Sequence, residues 1–157
     1  MIFGPLPTKF FLTSGVGEAS TELNAFDAAL LDAKIGNTNL IKLSSILPPG
    51  CIEIEPYELP KGSMVPLAYG ELTHSEPGIQ ISASVAVGIP MDTSAAGLIM
   101  ECSRIGEAAV CERLTREMVR EGMEDIRGLR IREIKSISAT LTVRRVGAVF
   151  AAVVLCP

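Results

Sequence analysis

Few side chains in this sequence are equipped for chemistry. His74 is the sole histidine, and Cys51, Cys102, Cys111 and Cys156 show no CxxC spacing, so neither a zinc ribbon nor a multi-histidine metal site can be assembled. No phosphate loop, GxSxG elbow or HExxH helix occurs. What remains is the Ser44-Ser45 pair ahead of Pro48-Pro49-Gly50, two asparagines upstream at Asn37 and Asn39, and the carboxylates Asp27 and Glu101. On their own, adjacent serines at a strand end are hydroxyls that bond nearby backbone. Asn37 and Asn39 fit a helix-to-strand turn equally well. Glu101 follows Leu98, Ile99 and Met100, which carry its carboxyl into a partly apolar site where desolvation keeps it protonated to higher pH. Asp27 follows Phe26 on a helical segment; as a carboxylate it can take two parallel bonds from a planar guanidinium, or simply face solvent.

These residues need elements to position them. Residues 8 to 13 (TKFFLT) form a first strand, followed by a loop, SGVGEAST, whose Ser20 and Thr21 offer helix-capping hydroxyls. The helix runs over 22–35 with Leu23, Phe26, Leu30 and Ala33 on one face and Gly36 as its left-handed stop. NLIKLSSIL reads as one strand that ends abruptly at the Pro-Pro-Gly turn. MVPLAYGELT, IQISASVAVGIP and AGLIMEC are further strands bounded by Gly and Pro. A long helix capped by Ser103 follows, with Val110, Leu114 and Met118 on its core face, interleaved Arg and Glu on a solvated face, and Gly122 as its stop. LRIREIKSISATLTV and GAVFAAVVL close the chain as strands, which makes the pattern α+β.

At 157 residues the chain has the length of one domain, and no internal repeat or linker divides it. Its 48% hydrophobic content with 20% charged residues, and no apolar run of the ~20 residues a bilayer requires, points the surplus apolar surface toward an oligomer interface. The start, MIFGPLPTKFFLTSG, lacks the charge and apolar pattern of a signal peptide, so a cytoplasmic protein with reduced thiols is expected. A net charge of -4 and a pI of about 5.1 disfavour nucleic acid and mildly favour a cationic substrate.

Four blocks together carry a specific resemblance: LNAFD at 23–27, IGNTNLIKLSSILPP at 35–49, GLIME at 97–101 and VFAAV at 149–153. In order and spacing they resemble the pyruvoyl-dependent arginine decarboxylases over nearly the whole chain. The resemblance implies a self-processing precursor cleaved between Ser44 and Ser45 into residues 1–44 (β chain) and 45–157 (α chain). The Ser45 hydroxyl attacks the Ser44 carbonyl, the resulting ester is eliminated, and hydrolysis leaves a pyruvoyl group and ammonia. That ketone replaces pyridoxal, taking up the substrate amine and the electrons released with carbon dioxide. The resemblance further assigns Asn39 to the scissile carbonyl and Glu101 to protonation after decarboxylation. It gives Asp27 the substrate guanidinium, and Leu23 and Ile46 the aliphatic part of the pocket.

The resemblance also implies a four-layer αββα sandwich of stacked, mainly antiparallel sheets with outer helices. It implies a homotrimer with active sites between protomers, turning L-arginine into agmatine, a reaction that would feed polyamine synthesis or consume protons; the composition and motifs set the expectation of no metal, nucleic acid or membrane partner. Decarboxylation of another amino acid, or an unprocessed assembly subunit, are the alternatives. Cys102 stands where the family pattern carries an aromatic residue, and Lys34 where it carries glycine.

Overall fold

The computed structural model describes residues 5–157. In chain order the elements are β1 (Lys9–Ala19), α1 (Glu22–Asp32), β2 (Asn39–Lys42), β3 (Ile46–Leu47), β4 (Ile52–Glu53), β5 (Met64–His74), β6 (Gln80–Pro90), β7 (Gly97–Ile105), α2 (Ala108–Arg120), β8 (Ile131–Thr142) and β9 (Val146–Cys156). They form two sheets, β2-β5-β9-β1-β4 and β3-β7-β6-β8. Val85, Val87 and Ile99 of one sheet pack against Val149, Ala151 and Val153 of the other. Ala25, Ala29 and Leu30 of α1 cover the outside of the first sheet, and Val119 of α2 covers the outside of the second. This is the αββα sandwich, α+β in class. Pairing is antiparallel except at the edges of the first sheet, where β2 runs with β5 and β4 with β1. Central β9 is buried on both faces from Gly147 to Cys156, which is why its sequence is apolar without alternation.

β1 runs well past the expected boundary at 13, through the segment expected to be a loop. It pairs with β9 from Lys9↔Cys156 to Ala19↔Val146. Its glycines serve close approach rather than a turn: a Cβ at Gly15 would stand 2.7 Å from the Ala33 nitrogen, and one at Gly17 2.7 Å from the Ala25 carbonyl oxygen. The helix that lies on them must present small residues, so α1 docks through Ala25, Ala29 and Ala33, with Leu30 and half-buried Phe26 alongside. Leu23, expected on that face, is 76% exposed. Gly17→Ala therefore meets backbone that no rotamer change relieves, and should cost the upper part of the ~1–3 kcal/mol typical of overpacking. A lowered urea midpoint at unchanged slope is the expected result, and an unchanged midpoint would contradict this packing.

Thr21 caps α1, its hydroxyl accepting from the Asn24 amide at 3.2 Å. The helix stops at Asp32 rather than 35, and the left-handed position falls on Lys34 (φ 64°), not on Gly36. The Lys34 amide bonds the Leu31 carbonyl and the Ile35 amide the Leu30 carbonyl, each at 3.0 Å, the pattern of a Schellman stop. Gly36 instead makes room, since a Cβ there would lie 2.7 Å from the Leu31 nitrogen.

β7 continues to Ile105, so α2 starts after Glu107 and Ser103 is not its cap. Its buried stripe is Cys111, Thr115 and Val119, one position on from the expected Val110, Leu114 and Met118. The shift follows from the surface beneath. β6 offers Ser82, Ser84, Ala86 and Gly88, so Thr115 is buried with its hydroxyl 3.2 Å from Ser84 Oγ and 2.8 Å from the Glu112 carbonyl. Gly122 does not stop the helix either; a π-helical turn (Glu121–Ile126) carries on over Leu98, and the left-handed residue is Gly128 (φ 64°). Of the supposedly solvated face, Arg113 and Glu117 pair at 3.8 Å in solvent, but Arg116 donates to the Ile134 carbonyl (3.0 Å) and Ser136 Oγ (2.9 Å), and Ser136 donates to Glu112 (2.6 Å). All four cysteines are free, and burial pushes the Cys111 thiol up to about 12. Among the described residues, no helix is long and apolar enough to cross a membrane.

Candidate active site

The run NLIKLSSIL is not one strand. β2 pairs with β5 up to Lys42↔Leu67, and the next amide, Leu43, donates to the Leu67 carbonyl at 2.8 Å. Two residues later the Ser45 carbonyl accepts from the Ile99 amide at 2.8 Å, and β3 then pairs with β7 through Ile46↔Leu98. The chain thus crosses from one sheet to the other, with exposed Ser44 and half-buried Ser45 in the crossing. Leu43 before the crossing and Leu47 after it both pack into the inter-sheet core and fix its ends. The constraint is tethering at both sides, because neither serine occupies a positive φ.

β7 carries Glu101 to the same place. Leu98 and Met100 turn toward α2, whereas Ile99 packs between the sheets, so strand alternation sends Glu101 to the inter-sheet side. It lies two residues, about 7 Å of strand, beyond the amide that holds Ser45. β5 leaves space for it at Gly70, where a Cβ would be 3.3 Å from Glu101 Cβ and 3.1 Å from the Cys102 carbonyl oxygen. Glu101 is half-buried, and desolvation raises its carboxyl above the ordinary glutamate value, opposed in part by the charge of Lys42. Lys42 Nζ sits 4.4 Å from the centroid of the Tyr69 ring, which packs in turn on Phe150 (5.3 Å) and Phe26 (6.3 Å). Lys42 and Gly70 are neighbours of the site that sequence reasoning passed over. A glycine inside the strand MVPLAYGELT was the available signal, since it marks a close approach.

The remaining candidates lie apart in the single chain. Asn39 begins β2, at the end away from Ser44; its side-chain amide donates to the Gly62 carbonyl at 3.0 Å and holds the entry to β5. Within one chain its amide is thus committed to Gly62 rather than to the scissile carbonyl. Leu23 and Asp27 stand one turn apart on α1, both exposed, and Ile46 on edge strand β3 is 45% exposed. A cleft of about 430 Å³ between Leu31, Lys34, Asn37, Tyr57 and Lys61 includes neither Ser45 nor Glu101. His74 ends β5 and its Nδ1 accepts from the Glu76 amide at 3.1 Å.

The tethered serine pair beside a desolvated carboxyl can support intramolecular attack on a peptide carbonyl and a later proton transfer. Comparison with known proteins agrees in kind. A family model described as pyruvoyl-dependent arginine decarboxylase (PvlArgDC) matches residues 9–157. The chain is 46% identical over 149 residues to a protein of that name from Methanococcus aeolicus, covering 95% of this chain and 90% of that one. It is 45% identical over 150 residues to the one from Methanocaldococcus jannaschii, with coverage of 96% and 90%. The one from Pyrococcus furiosus is 38% identical over 154 residues, with 96% of each covered.

Proposed function

The chain belongs to the pyruvoyl-dependent arginine decarboxylase family, and from that premise we propose that it cleaves itself between Ser44 and Ser45 and converts L-arginine to agmatine and carbon dioxide. The observation that carries this reading is the crossing between the sheets, where Ser45 is held by Ile99 with Glu101 two residues further on. In maturation the Ser45 hydroxyl attacks the Ser44 carbonyl, the Ser44–Ser45 amide breaks and an ester forms. Loss of the Ser45 α-proton then expels the Ser44 carboxylate from the β-carbon, and hydrolysis replaces the amino nitrogen by oxygen, releasing ammonia. Asn39 is proposed to support the oxygen that becomes negative in the attack. Because its amide bonds Gly62 within the chain, this role needs either a shift of β2 or an Asn39 supplied by a neighbouring protomer.

The residues fit a pyruvoyl group: Ser45 supplies its carbons, Ile99 fixes the carbonyl that follows, and the site is partly desolvated. Once formed, the group supplies an activated carbonyl that takes up the substrate amine and the electron pair left by carbon dioxide. Glu101 then delivers a proton to the carbon that lost the carboxylate, a task suited to a carboxyl that burial keeps protonated. Leu23 and Ile46 line the aliphatic chain of arginine, and Asp27 takes its guanidinium.

The exposure of Leu23, Asp27 and Ile46 supports a pocket completed by a second copy, in a homotrimer of cleaved protomers with sites at the interfaces. The enzyme acts in the cytoplasm and supplies agmatine to polyamine synthesis. Release of labelled carbon dioxide from carboxyl-labelled arginine, ornithine and lysine tests the substrate; faster release from ornithine would sink the assignment to arginine. Asp27→Asn should leave cleavage unchanged and lower kcat/KM for arginine by about ten- to a hundredfold, the equivalent of a lost charge-assisted pair. Unchanged kcat/KM in that variant would place the guanidinium elsewhere.

A further inference from the structure

We propose that Cys102 and Cys111 are a redox pair: a low-molecular-weight disulfide converts them to an intrachain disulfide that locks α2 onto β7, the strand that carries Glu101. Neither cysteine takes part in the proposed self-cleavage. Cys102 lies opposite Ser84 in the ladder between β6 and β7, and directly opposed residues of an antiparallel pair project to the same side of the sheet. That side lies under α2. Ser84 Oγ is 3.2 Å from Thr115 Oγ1, and Leu98 and Met100 of β7 pack with Val119 and Met123, so alternation along β7 also turns Cys102 toward the helix. Cys111 stands one turn before Thr115 on the buried stripe of α2, and its Sγ donates to the Cys102 carbonyl at 3.1 Å. A residue's Cβ sits about 3 Å from its own carbonyl oxygen, so the two sulfurs lie within a side-chain rotation of each other. The other cysteines are elsewhere: Cys51 Sγ donates to the Pro7 carbonyl at 3.1 Å, and Cys156 ends β9 in the layer under α1.

The two thiols differ in the way an attacking and a resolving cysteine must. Cys102 is half-buried and open to a small oxidant, whereas Cys111 is fully buried and both are free. Desolvation, with a smaller push from the Cys102 thiol, raises Cys111 to about 12, opposed in part by the charge of Arg104. Cys102 therefore reacts first. Its thiolate attacks one sulfur of the small disulfide and expels one small thiolate; the Cys111 thiol then gives up its proton and attacks the Cys102 sulfur, expelling the second. Two protein thiols are oxidised, and one small disulfide is reduced to two small thiols. Because Cys111 surrenders its proton reluctantly, the mixed disulfide on Cys102 resolves slowly. In a reducing compartment the pair stays open, and it closes when the pool of small thiols becomes oxidised.

Trypsin separates the pair, because Arg104 lies between them: Cys102 is the only cysteine of peptide 62–104 and Cys111 the only one of peptide 105–113. The native wild-type protein is incubated with oxidised glutathione, remaining thiols are alkylated, and the chain is digested without reductant. The expected product is the two peptides joined, lighter by two hydrogens than their sum, from a chain whose own mass has not doubled; dithiothreitol should release them. The oxidised protein should also melt at a higher Tm than the reduced one, since the closed loop constrains the unfolded chain. Cys102→Ser, at a half-buried position, should abolish both the joined peptides and the Tm shift. Glutathione held stably on peptide 62–104 with peptide 105–113 fully alkylated would overturn the pair, as would a link to Cys51, to Cys156 or to a second copy of the chain. Joined peptides with no rise in Tm would overturn the lock on α2.

Discussion

Ser45→Ala is expected to remain a single chain and to release no carbon dioxide from arginine. The methyl side chain has no oxygen to attack the Ser44 carbonyl and none to leave in elimination, so both the cut and the ketone are lost together. The fold should survive. Ser45 is only half-buried, and its carbonyl bond to the Ile99 amide belongs to the backbone. Ser44→Ala makes the contrast, since it retains the attacking hydroxyl and changes only the new carboxyl terminus; it should still be cut. Two chains from Ser45→Ala by denaturing mass spectrometry would exclude the acyl-shift route.

Glu101→Gln is expected to mature normally and then fail in turnover by about a hundredfold to ten-thousandfold, the usual loss when a positioned general acid is removed. Glutamine keeps the size and most of the bonding capacity beside Gly70 but has no proton to deliver. In the wild type, burial raises the Glu101 carboxyl, so its protonated form persists above the usual glutamate range and activity should decline as pH rises through the folded value. That limb should be absent from the residual activity of the variant. Near-normal turnover in fully cleaved Glu101→Gln would remove the residue from the mechanism, whereas failure to cleave would give it a part in maturation.

The mixed helices and strands of this fold were legible in the sequence because apolar periods and Gly/Pro boundaries mark the long elements, whereas the four-layer order came from the resemblance. What was not legible depended on partners distant along the chain. Gly15, Gly17, Gly36 and Gly122 look locally like loop or stop signals, yet each admits another segment to within contact, and the residue at the left-handed stop of α1 is a lysine. The buried stripe of α2 follows the small, partly polar face of β6, which hydropathy of the helix alone does not reveal. NLIKLSSIL reads as one apolar-rich run with no glycine or proline before Pro48, but the hydrogen bonds of Leu43 and Ser45 go to different sheets. The motif blocks pointed to Ser45 and Glu101, and the fold brings both to one crossing. They said nothing of direction, so the outward placement of Leu23 and Asp27 and the engagement of Asn39 with Gly62 emerge only from the packing.

The central claim is that this chain makes its own cofactor from Ser45, and the intact mass of the purified wild-type protein under denaturing conditions tests it most directly. The account predicts two chains. One spans residues 1–44 and ends in a free Ser44 carboxyl; the other spans 45–157 and is lighter than a serine-initiated chain, because its amino nitrogen has left as ammonia. A single mass equal to the uncut 157-residue chain, unchanged after prolonged incubation, would contradict it.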